Sequence, residues 1–202
     1  MTNLLKRGIR GVAALVAAAS LAVCGGCSDE PDTELYFVGD SLVEFWDVGR
    51  ACPTLRFVNL GRAGAGIAYL GELGDRVAGR DVVLLIGTND AWRLLTEGVR
   101  PYADRYLEAA GALRARRVYL YPVLPRTLAN DTDALRAAIE EFNAEIRGRL
   151  PEFGCEVVYL DVSDRFRLDG GEHIHPELSP DGIHLNAYGY QILTEALWEK
   201  LR

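Results

Sequence analysis

Apolar positions along this chain follow two alternating rhythms. Short, mostly apolar runs rich in aromatic and β-branched residues occupy 34–38, 56–60, 81–86, 117–121 and 155–161, and each reads as a strand. The run Asp81-Val-Val-Leu-Leu-Ile86 is apolar on both faces, as a central parallel strand must be. Between these runs the apolar residues recur at helical spacing. Leu70, Leu73 and Val77 predict a short helix over 67–77, and Tyr102, Tyr106, Ala109, Ala110 and Leu113 predict one over 101–115. Leu135, Ala138, Ile139, Phe142 and Ile146 share a face over 132–150, with Asp131 or Thr132 able to cap its start and Pro151 following its end. Ile192, Leu193, Ala196 and Leu197 mark a last helix over 187–201. Strand alternating with helix implies a parallel sheet covered on both faces, a three-layer α/β/α domain with five strands in a flavodoxin-like order. No internal repeat or linker divides the segment 34–202, which is expected to be one domain.

The start of the chain breaks this rhythm. Lys6, Arg7 and Arg10 precede an uncharged stretch of Ala, Val and Leu from Gly11 to Val23, which ends in Cys24-Gly-Gly-Cys27. A basic start, a short apolar run and small residues make an export signal. The apolar run is shorter than the about 20 residues that a spanning helix needs. Because the small-residue site ends in cysteine, it resembles a bacterial lipoprotein signal, in which the cysteine is lipidated and becomes the new N-terminus. Val23 is a poor residue before a cut at Cys24, whereas Gly-Gly before Cys27 is a good one; Cys27 is therefore preferred. The expected organisation is a signal over 1–26, a polar tether over 27–33 and the domain over 34–202, held to a membrane by its lipid. An ordinary cleaved signal and a soluble exported protein is the alternative.

Charge and composition narrow the function classes. Of 202 residues, 49% are hydrophobic and 25% charged, ordinary values for a folded domain. The balance of 22 Lys and Arg against 29 Asp and Glu gives a net charge of −7, so no overall basic footprint for nucleic acid exists. Four cysteines are too few for a disulfide scaffold of this length.

In an open parallel sheet, ligands bind at the carboxyl ends of the strands. Four segments fall there: Gly39-Asp40-Ser41-Leu42, the glycine-rich stretch from Asn59 to Gly66, Gly87-Thr88-Asn89-Asp90, and Asp181-Gly-Ile-His184 before the last helix. Ester hydrolysis needs a nucleophile, a base and a group that orients the base. Ser41 presents a hydroxyl at the start of a helix, and His184 carries a potential orienter, Asp181, one turn earlier in the same loop. The developing oxyanion needs fixed donors. The backbone N–H groups of Ser41 and Gly64 and the side-chain amide of Asn89 are candidates. The glycine-rich stretch lacks the lysine of a phosphate loop.

Together these blocks resemble the SGNH hydrolases, the GDSL lipase/esterase superfamily. Ser41 matches the Gly-Asp-Ser-Leu block, Asn89 the Gly-x-Asn-Asp block, and Asp181 with His184 the Asp-x-x-His block. The family's oxyanion glycine, counted from Asn59, falls on Gly64, with Gly61 the second candidate. The likeness spans about Leu35 to Leu201, and within the superfamily it is similar to the branch holding platelet-activating-factor acetylhydrolases and bacterial acylesterases. It implies a metal-free serine hydrolase without cofactor, acting on a small-molecule or carbohydrate ester, with short acyl groups expected. A thioesterase or lysophospholipase with the same triad, and a binding protein without catalysis, are the rival readings.

Other residues carry weaker expectations. Asp40 and Asp90 are expected to bond backbone groups of their own loops, and Arg126 to meet a polar substrate. Trp46, Trp92 and Tyr188 are candidates for a substrate pocket, although core packing also accounts for such aromatics. His173 and His175 read as solvated loop residues rather than a metal pair, because no further ligands stand at suitable spacing. Cys52, before the second strand, and Cys155, at the start of the fifth, belong to opposite sheet edges in the expected order, four spacings of about 4.8 Å apart, so no bridge between them is expected.

Overall fold

The computed structural model describes residues 34–202. The expected export signal and tether, with the cysteines at 24 and 27, lie outside the described residues. The chain runs β1 (Leu35–Gly39), α1 (Ser41–Glu44), α2 (Val48–Ala51), β2 (Phe57–Gly61), a 3-10 segment (Ile67–Glu72), α3 (Gly74–Val77) and β3 (Asp81–Leu85). It continues through α4 (Arg93–Thr96), α5 (Val99–Gly111), β4 (Arg117–Leu120), α6 (Asp133–Gly148), a 3-10 turn (Leu150–Phe153), β5 (Glu156–Tyr159), α7 (Ser163–Phe166) and α8 (Ala187–Leu201). All strands are parallel, in the order β2-β1-β3-β4-β5. This is the expected α/β architecture.

Alternation along the strands builds two cores. Val82 and Leu84 of β3 point into one, with Leu70, Tyr102, Tyr106, Phe142 and Ile146; Val83 and Leu85 point into the other, with Leu42, Trp46, Phe166, Leu193 and Leu197. Each fully buried Leu, Val or Phe contributes about 1.5–3 kcal/mol relative to exposure. That is why β3 needs an apolar residue at every position after Asp81, whereas the edge strands β2 and β5 are largely half-exposed. Asp81, buried at the amino end of β3, is paired by Arg116 at 2.7 Å.

Close approach of backbones shapes the carboxyl edge of the sheet. Gly39 and Gly61 end β1 and β2 as register partners. A Cβ on Gly39 would stand 2.1 Å from the Leu85 carbonyl oxygen, and one on Gly61 would stand 2.2 Å from the Glu44 nitrogen. Without side chains there, α1 settles directly onto the strand ends, and Asn59 fastens it: its Nδ2 donates to the Val43 carbonyl at 2.9 Å, while its Oδ1 accepts from Gly61 N at 2.8 Å.

The helix expected over 67–77 is instead a 3-10 segment followed by one α turn. Gly71 and Gly74 fall within it, and glycine weakens a continuous α-helix. The two long interior helices and α8 lie within a few residues of their expected limits, and Thr132, not Asp131, caps α6 through its hydroxyl. The Cys52 and Cys155 thiols are both free.

Candidate active site

Because β1 is in register with β2 and β3, the segments leaving these three strands emerge from one edge of the sheet. Asp40 starts α1: its Oδ1 accepts from Leu42 N at 3.0 Å. Ser41 is therefore fixed at the first helical position and is only 5% exposed. Its hydroxyl lies 3.1 Å from His184 Nε2.

The loop carrying His184 is closed on itself. Asp181 Oδ1 accepts from the backbone N–H groups of Ile183 at 3.0 Å and His184 at 2.7 Å, and Asp181 Oδ2 lies 2.7 Å from His184 Nδ1. Ser179 Oγ donates to the His184 carbonyl at 2.8 Å, and Asn186 caps α8 by accepting from Tyr188 N and Gly189 N. The carboxylate selects the tautomer with the proton on Nδ1, so Nε2 accepts from the Ser41 hydroxyl. Desolvation works against the Asp181 charge, but hydrogen bonds from the His184 ring and from the His184 and Ile183 amides lower its pKa to about 2. The carboxylate thus stays ionised wherever an imidazole can act as base.

Two neighbouring loops supply polar donors. Gly64 has a left-handed φ of +73° and open space where a Cβ would project. Its N–H bonds no acceptor among the described residues. The N–H of Gly61, the other candidate, is already spent on Asn59. Asn89 donates one side-chain hydrogen to the Ala65 carbonyl at 3.0 Å, which leaves its second amide hydrogen for a ligand and ties the two loops together. Asp90 reinforces the tie: its Oδ2 accepts from Ile67 N at 2.6 Å, so it serves the neighbouring loop rather than its own.

The other expectations sort by burial. Arg126, expected to meet a polar substrate, is instead 12% exposed at its side chain and reaches inward to Asp131 and Thr88. Trp46 is buried at 3% exposure among Phe37, Tyr121 and Tyr190. Trp92 and Tyr188 are exposed, with the Arg93 guanidinium over the Trp92 ring. His173 is exposed and contacts Thr127 Oγ1, while His175 Nδ1 accepts from Glu177 N. Among the described residues no cluster of three or more His, Cys, Asp or Glu could hold a metal ion. Sequence reasoning missed Glu44, whose carboxylate accepts from Ala63 N at 2.5 Å, and the fastening role of Asn59.

A cleft of about 490 Å³ runs between α1–α2 and α8, with Phe45, Trp46, Asp47, Arg50, Tyr190 and Gln191 among its lining residues. It starts beside His184, since the exposed Phe45 ring lies 5.5 Å from the His184 ring. A larger hollow of about 660 Å³, bounded by Ala115 and Cys155, lies at the amino ends of β4 and β5, the opposite edge of the sheet.

Comparison with known proteins matches residues 37–192 to the GDSL-like lipase/acylhydrolase family. None of the curated proteins is significantly similar. Solved structures share the fold. A Streptococcus pneumonia protein provisionally described as a platelet activating factor is 23% identical, with a TM-score of 0.66 over 87% of this chain and 86% of its own. A GDSL-like lipase from Bacteroides thetaiotaomicron is 20% identical, with a TM-score of 0.63 over 86% and 91%. A catalytic mutant of an acetylxylan esterase from Geobacillus stearothermophilus is 18% identical, with a TM-score of 0.62 over 87% and 96%.

Proposed function

The chain belongs to the GDSL-like lipase/acylhydrolase family, and from that premise we propose that it is an exported, lipid-anchored serine esterase that removes short acyl groups through Ser41, His184 and Asp181. The unbroken hydrogen-bond chain from Ser41 Oγ through the imidazole to Asp181 carries this reading. His184 Nε2 takes the hydroxyl proton as Ser41 Oγ attacks the acyl carbonyl. Asp181 holds the ring in place and balances the imidazolium charge. The Ser41 and Gly64 N–H groups and the free Asn89 amide hydrogen receive the oxyanion. His184 then protonates the departing alkoxide, leaving an acyl-Ser41. Water, deprotonated by the same imidazole, attacks that ester and restores the serine. No cofactor enters these steps.

The leaving alcohol departs on the side of the base, toward the cleft that begins at Phe45. Asp47, Arg50, Gln191 and Glu195 offer polar groups to a hydroxyl-bearing alcohol along that cleft, while Phe45, Trp46 and Tyr190 give it an apolar wall. The acetylxylan esterase among the similar structures accords with a carbohydrate acetate. Export and anchoring are proposed from the basic start, the apolar stretch and the small residues before Cys27.

The test is hydrolysis of p-nitrophenyl acetate by the wild type and Ser41→Ala. Loss of about 10⁴- to 10⁶-fold in kcat is expected; equal rates would remove the esterase assignment. A series from acetyl to palmitoyl esters and thioesters is expected to favour the shortest oxygen esters, and a preference for long chains or thioesters would overturn the substrate proposal.

A further inference from the structure

The segment between β4 and α6 touches both halves of the proposed centre through two adjacent residues. Arg126 reaches one half. Its NH1 donates to the Thr88 carbonyl at 2.6 Å and lies 3.2 Å from Thr88 Oγ1, and Thr88 is the residue before Asn89. The guanidinium is itself fixed by a two-pronged ion pair, Nε to Asp131 Oδ2 at 2.9 Å and NH2 to Asp131 Oδ1 at 2.8 Å. Asp131, 2% exposed at its side chain, also accepts from Leu128 N, which folds the segment back on itself. A planar fork held on both prongs leaves its remaining donor little freedom.

Thr127 reaches the other half. Its N–H donates to the Gly182 carbonyl at 2.8 Å, and Gly182 lies between Asp181 and His184. The contact is tight: Gly182 has a φ of +83°, and a Cβ there would stand 2.1 Å from the Thr127 carbonyl oxygen. Thr127 Oγ1 also accepts from Ile174 N at 3.2 Å, which anchors the stretch leading into the triad loop. The root of the segment is equally fixed, because Asn143 of α6 bonds both the N–H and the carbonyl of Val123.

We propose that Arg126 and Thr127 are positioning residues, a strut that sets the Asn89 loop and the Asp181–His184 loop at a fixed separation around the ester carbonyl. Neither touches substrate. Arg126 acts through Thr88 on the Asn89 amide, and Thr127 acts through Gly182 on the imidazole. The proposal rests on the esterase reading for its kinetic consequences, but the strut itself is a statement about two loops. A displacement of about 1 Å in such a centre costs on the order of 10²-fold in rate.

The experiment uses the full chain with Arg126→Ala, Arg126→Lys, Asn89→Ala and the Arg126→Ala/Asn89→Ala pair on p-nitrophenyl acetate, alongside hydrogen exchange of the peptides covering 87–91 and 181–186. Arg126→Ala is expected to lower kcat on the order of 10²-fold with KM nearly unchanged, since oxyanion stabilisation belongs to the transition state. Adding it to Asn89→Ala is expected to cost nothing further, because the group it positions is already gone. Arg126→Lys keeps the charge beside Asp131, loses the fork, and is expected to speed exchange at 87–91 while the melting temperature holds; it stands in if Arg126→Ala does not fold. Gly182→Ala is expected to speed exchange at 181–186. Multiplicative losses in the double variant, or an unaltered kcat, would refute positioning through Asn89. Unchanged exchange in both peptides would refute the strut. If the wild type shows no Ser41-dependent hydrolysis, the esterase reading fails, and the exchange data alone decide the strut.

Discussion

At the scale of single residues, the carboxyl of Asp40 is the most expensive group near the site. It is 0% exposed, it caps α1 with Oδ1, and its Oδ2 has no hydrogen-bond partner among the described residues. Burial raises its pKa from the ordinary 3.8 to about 6, against the pull of the Leu42 N–H and the nearby His184. In the folded chain it therefore keeps its proton across a window where the unfolded chain has released it. Between about pH 4 and 6 the native state binds more protons, so this group's contribution to stability declines as pH rises through that window. By pH 7 the cost is about 3 kcal/mol. Asn caps a helix as well as Asp and carries no charge. Asp40→Asn is thus expected to be more stable than the wild type at pH 7, with the difference shrinking toward pH 4. Urea unfolding at several pH values checks this, and a gap between the proteins that does not vary with pH would contradict it. The sequence made the capping role of Asp40 legible, because an acid before a helix start is a local pattern. It could not reveal that Asp90 serves Ile67 or that Arg126 turns inward to Thr88, because both partners come from other loops.

Elements were readable where a pattern repeats over several turns. Leu135, Ile139, Phe142 and Ile146 lie one or two helical turns apart, and all are buried in α6. The short helices α4 and α7 are single turns with no period to read, and the 3-10 segment imitates helical spacing with Leu70 and Leu73. Asn143 falls outside any hydrophobic period yet is buried in α6, where it satisfies both backbone groups of Val123 at 2.9 and 2.8 Å. Because Val123 is itself buried in the segment that leads to Arg126, Asn143→Ala would strand an N–H and a carbonyl away from water. Each costs about 1–3 kcal/mol when left unmade. The expected outcome is a clear fall in the urea midpoint together with faster exchange around residue 123. A midpoint within a few tenths of a kcal/mol of wild type would show that water replaces the amide.

For the whole molecule, the strand order decides what lies together. Placing β1 between β2 and β3 puts the three polar loops on one edge, and the chain then returns through α7 to set Asp181 and His184 above them before α8 closes the face. The parallel arrangement was legible because parallel strands need crossovers, and the long crossover helices α5 and α6 were visible as periodic stretches, whereas the single turns α1 and α2 were not. The family match spans 37–192 and leaves the first thirty-odd residues outside it. Their proposed task is address and attachment, and the two functions are therefore expected to separate cleanly. A single acyl chain gives only marginal, reversible membrane binding, whereas two or more hold firmly, as expected of a lipidated N-terminal cysteine. Cys27→Ala is thus expected to move the protein from the membrane fraction to the soluble fraction, or to leave it with an uncleaved signal, while p-nitrophenyl acetate turnover per mole of folded protein stays at the wild-type level. Cys24→Ala is expected to remain with the membrane. Fractionation followed by mass measurement of the N-terminal peptide reads both outcomes. A Cys27→Ala protein that stays in the membrane with a lipid-modified Cys24 would move the attachment point three residues back, and an unmodified, membrane-free wild type would remove the anchor altogether.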